Sequence, residues 1–563
     1  MKKITNILLS LACVLTFASC EGFLDMAPTN QADSSTCLTS EHDAQVMLNG
    51  LIYKMSSSSY YGRNFLLYGD AKGGDITIYT GGNPGDALYY FNHSASSSSY
   101  SGFWSTGYNC LLQANNIITN IKNMQNEGTN EDFDDILGQA LTIRALIHFD
   151  LVRLYGKPYN MDKSSDGIAV VTSQVDASAK LLRDPVEKAY TQIVTDLIEA
   201  APMLSKSVSR GYINYYANQM LLGKVYQYMD NQSSALTCFE NVINSGKYQL
   251  YDNFADMSKL EFNNKKESIM AVQFSTANDN IHINFCNLLN TTRSEGNVFG
   301  SGDDFFLASQ NLVNAFRTDA NGLPYLDGTF NNVRVTTNYA GSLDPRLDLT
   351  VGRIGLPFRG HTYTQGWCRD YNTYGEYSGK KGLIDPSSPD MVQGFPWGAS
   401  GLNFILIRYA DILLLKAEAL VETASGSNAA TDDKLVKARE LVNQIRQKAA
   451  RSIDGNYTPV DLDPFTADYK VGLYPTDYDG NLTWTRDRAR MAVRMERRLE
   501  LAMEGQRWFD LVRWGTAVQT INKYMQEESN LRPYYTGASL TEDEIYLPIP
   551  ISQIENSNGL YKQ

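Results

Sequence analysis

The sequence predicts a mainly α-helical protein whose helical hairpins carry long, loop-rich inserts with a few short strands. Two blocks, at about residues 40–250 and 404–526, place apolar residues at helical spacing. At about residues 56–100 and 275–402 this periodicity gives way to Gly, Asn, Asp and aromatic residues. The length of 563 residues exceeds a single core of about 150 residues but suits a large helical assembly.

The chain begins with a pattern typical of a lipoprotein signal peptide. Lys2 and Lys3 precede the apolar run ILLSLACVLTFA, which is too short to span a membrane. Small residues then precede Cys20 in FASC, so we predict a signal peptide over residues 1–19 and a lipid on Cys20. An ordinary secretory cleavage nearby is the alternative. Residues 20–34 then form a tether and residues 35–563 a single domain.

Three stretches of the first block predict individual helices. Gly107–Met124 and Asp135–Gly156 each carry an apolar face, and the second is closed by its terminal glycine. In Asp184–Leu204, Asp184 is expected to be the N-cap and Pro185 the first helical residue.

Leu221–Ile243 matches a tetratricopeptide pattern. Gly223 and Ala235 allow two helices to approach closely, and Tyr226 and Phe239 fill the groove between them. Any tight helical hairpin would give a similar pattern, so that alternative stays open. In the second block, Phe404–Ala424 and Asp432–Ala450 predict another antiparallel helical pair, joined by SGSNAA.

RRLELAMEGQRWFDLVRWG, at residues 497–515, gathers carboxylates, arginines and tryptophans. Its Glu500 and Glu504 lie one helical turn apart, which suits either the acid and base of a glycosidase or an ion-paired scaffold helix. Arginines three residues from each carboxylate predict the pairs Arg497–Glu500, Glu504–Arg507 and Asp510–Arg513. Such pairs lower carboxylate pKa values, whereas a general acid needs a raised pKa. FDLVR also occurs twice, at residues 149–153 and 509–513, which favours the structural interpretation.

Charge and motif content exclude several classes of protein. Lys and Arg total 49 against 62 Asp and Glu, a net charge of −13, which argues against nucleic acid as the main partner. The histidines and cysteines show no HExxH or CxxC spacing, so neither a metal site nor a cofactor is predicted.

Several blocks resemble the SusD/RagB family, in order along the chain. They are IRALIHFDLVRLYG, SLDPRLDLTV, IRYADILLLKAEAL, RRLELAMEGQRWFDLVRWG and the closing YLPIPISQIENSNGLYKQ. The resemblance implies a SusD-like helical body with tetratricopeptide-like hairpins. It also implies a lipid-anchored, surface-exposed outer-membrane protein that captures a nutrient, usually a glycan, for a SusC-like TonB-dependent β-barrel transporter. It implies no catalytic activity.

Ligand contacts are expected in the inserts, where aromatic rings can stack on sugars and polar side chains can reach hydroxyls. Because ligand sites of the resembled family lie in variable loops, no motif transfers individual residues. The leading platform candidate is Trp367; packing of each loop aromatic onto the body is the alternative. The candidates are Arg63, Asp75, Tyr79, Tyr89, Tyr90, Asn92 and Tyr100 in the first insert, and Trp367, Arg369, Tyr371 and Tyr374 in the second.

The function predicted from these observations is non-catalytic glycan binding at the cell surface. The alternatives are a surface glycoside hydrolase, a tetratricopeptide-type adaptor that binds only protein, and a binder of another nutrient such as peptide.

Overall fold

The fold is seen in a computed structural model of the chain. For residues 98–100 only the backbone is described. The structure describes residues 38–78, 98–175, 180–208, 211–276, 292, 299, 302, 304–392, 399–456, 458–463 and 466–561.

Helices form most of the ordered framework, which confirms the predicted mainly α fold. The helices of seven or more residues are α1 (Glu41–Met55), α2 (Ser98–Asn126), α3 (Asp134–Tyr155), α4 (Val186–Ala200), α5 (Tyr215–Tyr228), α6 (Gln232–Ile243), α7 (Tyr409–Glu422), α8 (Asp433–Ala450), α9 (Arg486–Glu500), α10 (Arg507–Arg513) and α11 (Ala517–Glu528). Shorter α-helices span Asn64–Leu66, Tyr159–Asp162, Gln310–Ala315, Arg346–Thr350, Tyr371–Tyr374, Tyr478–Thr483 and Ile551–Asn556.

The strands are short and pair two by two. They are β1 (Ile76–Ile78), β2 (Ser268–Val272), β3 (Phe306–Ala308), β4 (Ser342–Leu343), β5 (Pro357–Phe358), β6 (His361–Thr362), β7 (Phe404–Arg408) and β8 (Asp468–Tyr469). Within the described residues β1 pairs with β3, β2 with β7 and β5 with β6, all antiparallel, and β4 pairs with β8 in parallel. The described part of the second insert holds only strands of two or three residues and helices of six or fewer, as its loop-rich composition predicts.

The start of α4 differs from the prediction. Pro185, not Asp184, occupies the N-cap position, with an extended ψ of 146°, and the helix begins at Val186. Asp184 instead lies beside the preceding segment, because its backbone pairs with Gly167 and Ile168. Its carboxylate accepts from the Val170 backbone N at 2.9 Å, so it does not cap the helix.

The first residues of the second block form a strand instead of the predicted helix. Phe404–Arg408 is β7, which pairs with β2, and α7 begins at Tyr409. Three of its five residues, in FILIR, are Ile or Phe, which favour a half-buried strand. The predicted antiparallel pair is otherwise confirmed, with α7 packed on α8. Asp432 caps α8 through the Lys434 backbone N.

The tetratricopeptide-like hairpin is confirmed in α5 and α6. A Cβ on Gly223 would lie 2.6 Å from the Phe239 ring, so only glycine allows this approach of the two helices. Ala235 and Phe239 are fully buried in the same contact. α6 also packs on α7, which joins the two helical blocks.

Buried apolar side chains form several clusters in the described structure. The largest fills the space between α1–α6 and continues to α10 and α11, and another lies between α7, α8 and α9. A third lies under β1 and β3, and a small fourth cluster around Trp367 lies within the second insert. No helix in the described ranges combines the length and the apolar run that crossing a membrane requires.

His148, within α3, gives the core a pH dependence. The side chain is fully buried, and its Nε2 accepts from the Val171 backbone N at 3.2 Å. Burial lowers the pKa of His148 to about 3. An unfolded histidine titrates near pH 6.5, so between about pH 3 and 6.5 the unfolded chain binds one proton more than the folded chain. Stability from this group is therefore lost as the pH falls below about 6.5.

We expect the free energy of unfolding to fall by about 2 kcal/mol between pH 7 and pH 5 because of this histidine. The variant His148→Gln should lack this part of the fall, as measured by denaturant unfolding at both pH values. His361→Gln, at an exposed histidine, is the matched control and should keep the pH dependence of the parent. An equal fall in the parent and in His148→Gln would contradict the prediction.

Candidate functional site

The sequence predicted one helix for the carboxylate-rich segment at residues 497–515, but the structure has two helices joined by a turn. α9 ends at Glu500 and α10 begins at Arg507. Within the turn, Met503 and Gly505 have left-handed φ values of 59° and 76°. The Gly505 backbone N donates to the Asp70 carboxylate at 2.7 Å, which holds the turn against the chain near Gly69.

Glu500 and Glu504 are both paired, but their partners come from distant elements. Arg408 donates to Glu500 at 2.8 Å, to both Glu504 oxygens at 2.8 and 2.9 Å, and to Glu267 at 2.6 Å. Lys448 contacts Glu500 at 2.7 Å. All of these side chains are buried or nearly so.

Only one of the three predicted pairs within the segment forms. Asp510 and Arg513 are paired at 2.8 Å. Arg497 pairs with Asp411 and Asp510 instead of Glu500. The predicted Glu504–Arg507 pair is also wrong, because the turn takes Arg507 away from the position that a continuous helix would give it.

The cations hold both glutamates ionised. Burial alone would raise the pKa of Glu500, but Lys448, Arg408 and Arg346 keep it well below its ordinary value. Burial is likewise outweighed at Glu504, where Arg408 and Lys381 lower the pKa. A general acid must hold a proton near neutral pH, so these carboxylates do not suit that role. The segment is a structural ion cluster.

The two FDLVR copies contact each other. The Arg153 guanidinium lies 4.2 Å from the ring centroids of Phe149, in its own copy, and Phe509, in the other. Arg153 is also ion-paired with Asp150, which accepts from the Tyr60 hydroxyl at 3.0 Å. The repeat therefore joins the first helical block to the C-terminal one.

The described candidates of the first insert are partly or fully buried. Arg63 is half-buried and donates through Nε to Asn64 at 3.0 Å. Asp75 is fully buried and accepts from Arg498 at 2.7 and 3.0 Å, so the structure gives its carboxylate a structural ion pair. Outside the described residues lie Tyr79, Tyr89, Tyr90, Asn92 and the side chain of Tyr100.

Trp367 packs within the fourth apolar cluster. Only 8% of it is exposed, and the rings of Phe299, Phe358 and Tyr363 lie edge-on to it with centroids 5.8–6.4 Å away. The structure therefore gives this ring a packing role and no open face, and sugar stacking by Trp367 stays a prediction. Sequence composition marks the residue as aromatic but does not distinguish a covered ring from an uncovered one.

The remaining candidates follow Trp367 along one short segment. Arg369 and Tyr371 are half-buried, whereas Tyr374 is fully buried and packs 6.3 Å from the Tyr534 ring. The Arg369 backbone N donates to Asp304 at 2.7 Å. Burial raises the pKa of Asp304 to about 7. Arg369 and Tyr371 are thus the most accessible described candidates of this insert.

The two inserts meet at β3. β1, which lies within the first insert, pairs with β3 from Ile76–Ala308 to Ile78–Phe306. On its other side, β3 bridges to Ser378, just beyond the Trp367–Tyr374 segment, and the Ala308 backbone N donates to the Tyr377 carbonyl at 2.8 Å. We name β1, β3 and residues 377–378 the insert junction. It joins the described part of the first insert to the second insert.

A cavity that the sequence did not indicate lies between α9, α10 and α11. We name it the basic cleft. It has a volume of about 340 Å³, and its lining includes Arg494, Arg498, Arg507, Trp514 and Lys523. These residues lie in or directly after three different helices, so no local spacing reveals that they share one cavity.

In the described ranges no three His, Cys, Asp or Glu side chains gather in an arrangement that could hold a metal ion. Cys110, Cys238 and Cys368 are free thiols, and burial raises the pKa of each to about 12. The predicted lipidation residue, Cys20, lies outside the described residues.

The fold and the insert junction define a helical scaffold that presents two aromatic, loop-rich inserts together. The chain belongs to the SusD family, whose model matches residues 266–563. A second model, described as "Starch-binding associating with outer membrane", matches residues 22–226. The predicted family membership is confirmed.

Relatives and solved structures match nearly the whole chain. SusD-like protein P25 of Formosa agariphila is 24% identical over 590 aligned positions, covering 98% of this chain and 97% of the relative. A SusD-like carbohydrate binding protein of Bacteroides fragilis superposes with a TM-score of 0.70 at 19% identity, covering 93% of this chain and 99% of the other. A laminarin-binding SusD-like protein superposes with a TM-score of 0.64 at 21% identity, covering 92% and 98%. These structures confirm the SusD-like fold.

Proposed function

We propose that this protein is a non-catalytic glycan-binding lipoprotein that captures an oligo- or polysaccharide and delivers it to a SusC-like TonB-dependent transporter. The observation that carries the proposal is the insert junction, where a chain of the SusD family brings two aromatic inserts together. The names of the two similar structures, one carbohydrate binding and one laminarin binding, support a saccharide ligand.

In this proposal the ligand lies at the insert junction and contacts both inserts. Half-buried Tyr371 offers a ring to the CH face of a sugar, and half-buried Arg369 offers donors to sugar hydroxyls. We expect the first insert to add ligand contacts from Arg63, Tyr79, Tyr89, Tyr90, Asn92 and Tyr100.

The protein would be held at the outer-membrane surface by a lipid on Cys20. The FASC sequence supports this anchor, and the second family model, with its printed association with the outer membrane, supports the location. The tether over residues 20–34 then lets the body lie over a transporter embedded in the same membrane.

A role without catalysis is supported by the state of the most conspicuous carboxylate pair. Glu500 and Glu504 are buried and held ionised by cations, which suits a framework and opposes proton donation to a glycosidic oxygen. We therefore expect purified protein to bind glycans without releasing reducing ends.

The test is calorimetric titration of the purified protein with a panel of glycans, repeated with Tyr371→Ala. We expect at least one glycan to bind and the variant to bind it roughly tenfold more weakly, because losing a stacking contact removes about 1.4 kcal/mol. Tyr478→Ala, at a tyrosine that is 72% exposed, is the matched control and should leave the affinity unchanged.

Trp367→Ala is a poor substitute for the Tyr371 variant, because removing a buried ring destabilises a protein by about 3–5 kcal/mol.

A reducing-sugar assay on the same glycans completes the test, and turnover would overturn the proposal. If the protein bound peptides and no glycan, its nutrient ligand would be peptide instead of glycan. Copurification with a large β-barrel, without any small ligand, would favour the adaptor.

A further inference from the structure

The basic cleft has a charge opposite to that of the protein as a whole. The chain carries a formal net charge of −13. Of the side chains that line the cleft, Arg494, Arg498, Arg507 and Lys523 are cationic and Glu527 alone is acidic. Because like charges repel, such a concentration of cations in a cavity is costly unless an anion occupies it.

Two of these arginines keep unused hydrogen-bonding capacity. Arg498 is paired with Asp75 and also donates to Asn311 at 2.8 Å. By contrast, no carboxylate of the described structure lies within 4.0 Å of the Arg494 or Arg507 guanidinium. The Nε atoms of Arg494 and Arg507 are buried and have no hydrogen-bond partner there. Buried donors are nearly always bonded in proteins, so these two point to a missing acceptor.

The arginines also repel one another. Burial, followed by the charge of Arg498, lowers the pKa of Arg507 to about 10. Burial lowers the pKa of Arg494 as well, with Arg513 and Arg490 acting in the same direction and the charges of Glu418 and Glu422 opposing them. A bound anion would reverse this balance and stabilise both guanidinium groups in their charged form.

The rest of the lining suits a sugar ring and not only a bare ion. Trp514 is half-buried, with the Arg494 guanidinium 4.7 Å from its ring, and Phe330 and Tyr524 add further aromatic surface. The hydroxyl and amide side chains of the lining can reach sugar hydroxyls. They include Thr516, Gln519 and Thr520.

One wall of the cleft belongs to the first insert. A Cβ on Gly73 would lie 2.6 Å from Arg507 Cγ, and one on Gly74 would lie 3.1 Å from the Tyr524 ring, so glycine backbone forms this wall. Asp75, which pairs with Arg498, comes next, and β1 of the insert junction follows it directly. The cleft and the insert junction are therefore built on one continuous segment.

We propose that the basic cleft binds the carboxylate or sulfate group of an acidic oligosaccharide, through the Arg494 and Arg507 guanidinium groups, with Trp514 beside the sugar ring. This inference rests on the proposed role in glycan capture and specifies an acidic glycan as the substrate class. Arginine donates in pairs to carboxylate and sulfate oxygens, and such charge-assisted bonds are roughly twice as strong as neutral ones.

The test compares three probes of equal length by calorimetry: an oligogalacturonate, a sulfated oligosaccharide and a neutral oligosaccharide. At least one acidic probe should bind more than tenfold more tightly than the neutral one, and its affinity should fall as salt is added. Arg507→Gln should weaken that binding at least tenfold. Inorganic sulfate alone serves as a fourth probe and should bind much more weakly than the acidic saccharide.

A surface variant keeps the test valid if Arg507→Gln fails to fold. Lys523 has a side chain that is 59% exposed, so Lys523→Glu adds an acidic group to the cleft without disturbing the core. It should also weaken the acidic probe, whereas Lys437→Glu, the same change at an exposed lysine outside the cleft lining, should not.

The outcomes separate this inference from the proposed function. Equal affinity for neutral and acidic probes, unchanged in Lys523→Glu, would overturn the acidic-glycan inference while glycan capture stands. Binding of inorganic sulfate as tightly as the acidic saccharide would also overturn it. No binding of any saccharide would overturn both.

Discussion

Arg408→Met is expected to lower the free energy of unfolding by about 3–5 kcal/mol, because it leaves buried carboxylates without their shared cation. Arg408 donates to Glu267, Glu500 and Glu504, and its own side chain is 2% exposed. Lys448 and Lys381 remain beside these carboxylates but replace neither the charge nor the planar donor geometry of the guanidinium. Methionine fits the volume and supplies no donor.

The measurement is denaturant unfolding of the parent and the variant, followed by circular dichroism. Arg451→Met provides the matched control, because Arg451 is exposed and makes one long bond, 3.4 Å, to the Asp252 carbonyl. We expect the control to change stability by less than about 0.5 kcal/mol. A loss of under 1 kcal/mol in Arg408→Met would show that the cluster does not hold the turn between α9 and α10 in place.

The helical framework could be predicted from the sequence because its signals are local. Apolar residues at helical spacing located α3 and α8 to within about two residues. Gly223 and Phe239 likewise predicted the α5–α6 contact, because the glycine leaves room for the large ring where the two helices approach each other. Local periodicity predicts a helix correctly unless tertiary contacts favour another conformation.

The predicted ion pairs failed where tertiary contacts did compete. The left-handed residues Met503 and Gly505 end the helix between Glu504 and Arg507, so this pair cannot form. Arg497 and Glu500 share α9, but Arg497 pairs with Asp411 and Asp510 instead. The true partners of Glu500, such as Arg346 and Arg408, are 154 and 92 residues away in sequence. Long-range pairing of this kind leaves no trace in local spacing.

The candidate site was only partly predictable for a related reason. Composition identified the two aromatic inserts, but Trp367 and Tyr374 are covered by other rings that come from separate segments. Arg494, Arg507 and Lys523 were missed, because they appear in sequence as ordinary charged residues of a scaffold helix. What distinguishes them is that no carboxylate in the described ranges pairs with Arg494 or Arg507, and only the folded structure shows this.

The contact between the two FDLVR copies leads to a second large effect. Arg153→Met is expected to lower the free energy of unfolding by about 3–5 kcal/mol, since it leaves Asp150 buried without its cation. It also removes the guanidinium that lies between the rings of Phe149 and Phe509, each 4.2 Å away. Stacking of this kind contributes about 0.5–2 kcal/mol.

A double-mutant cycle separates the two parts of that loss. Arg153→Lys keeps the charge but not the planar group, so it should recover part of the ion pair and little of the stacking. In a Phe509→Leu background, the additional loss caused by Arg153→Met should shrink by about 0.5–2 kcal/mol, which is the coupling between guanidinium and ring. If the losses in stability from the two substitutions are fully additive, Phe509 has a packing role alone. Coupling would show that the repeated pentapeptide joins the N-terminal and C-terminal helical blocks through one arginine, because Phe149 and Phe509 contact it from opposite copies.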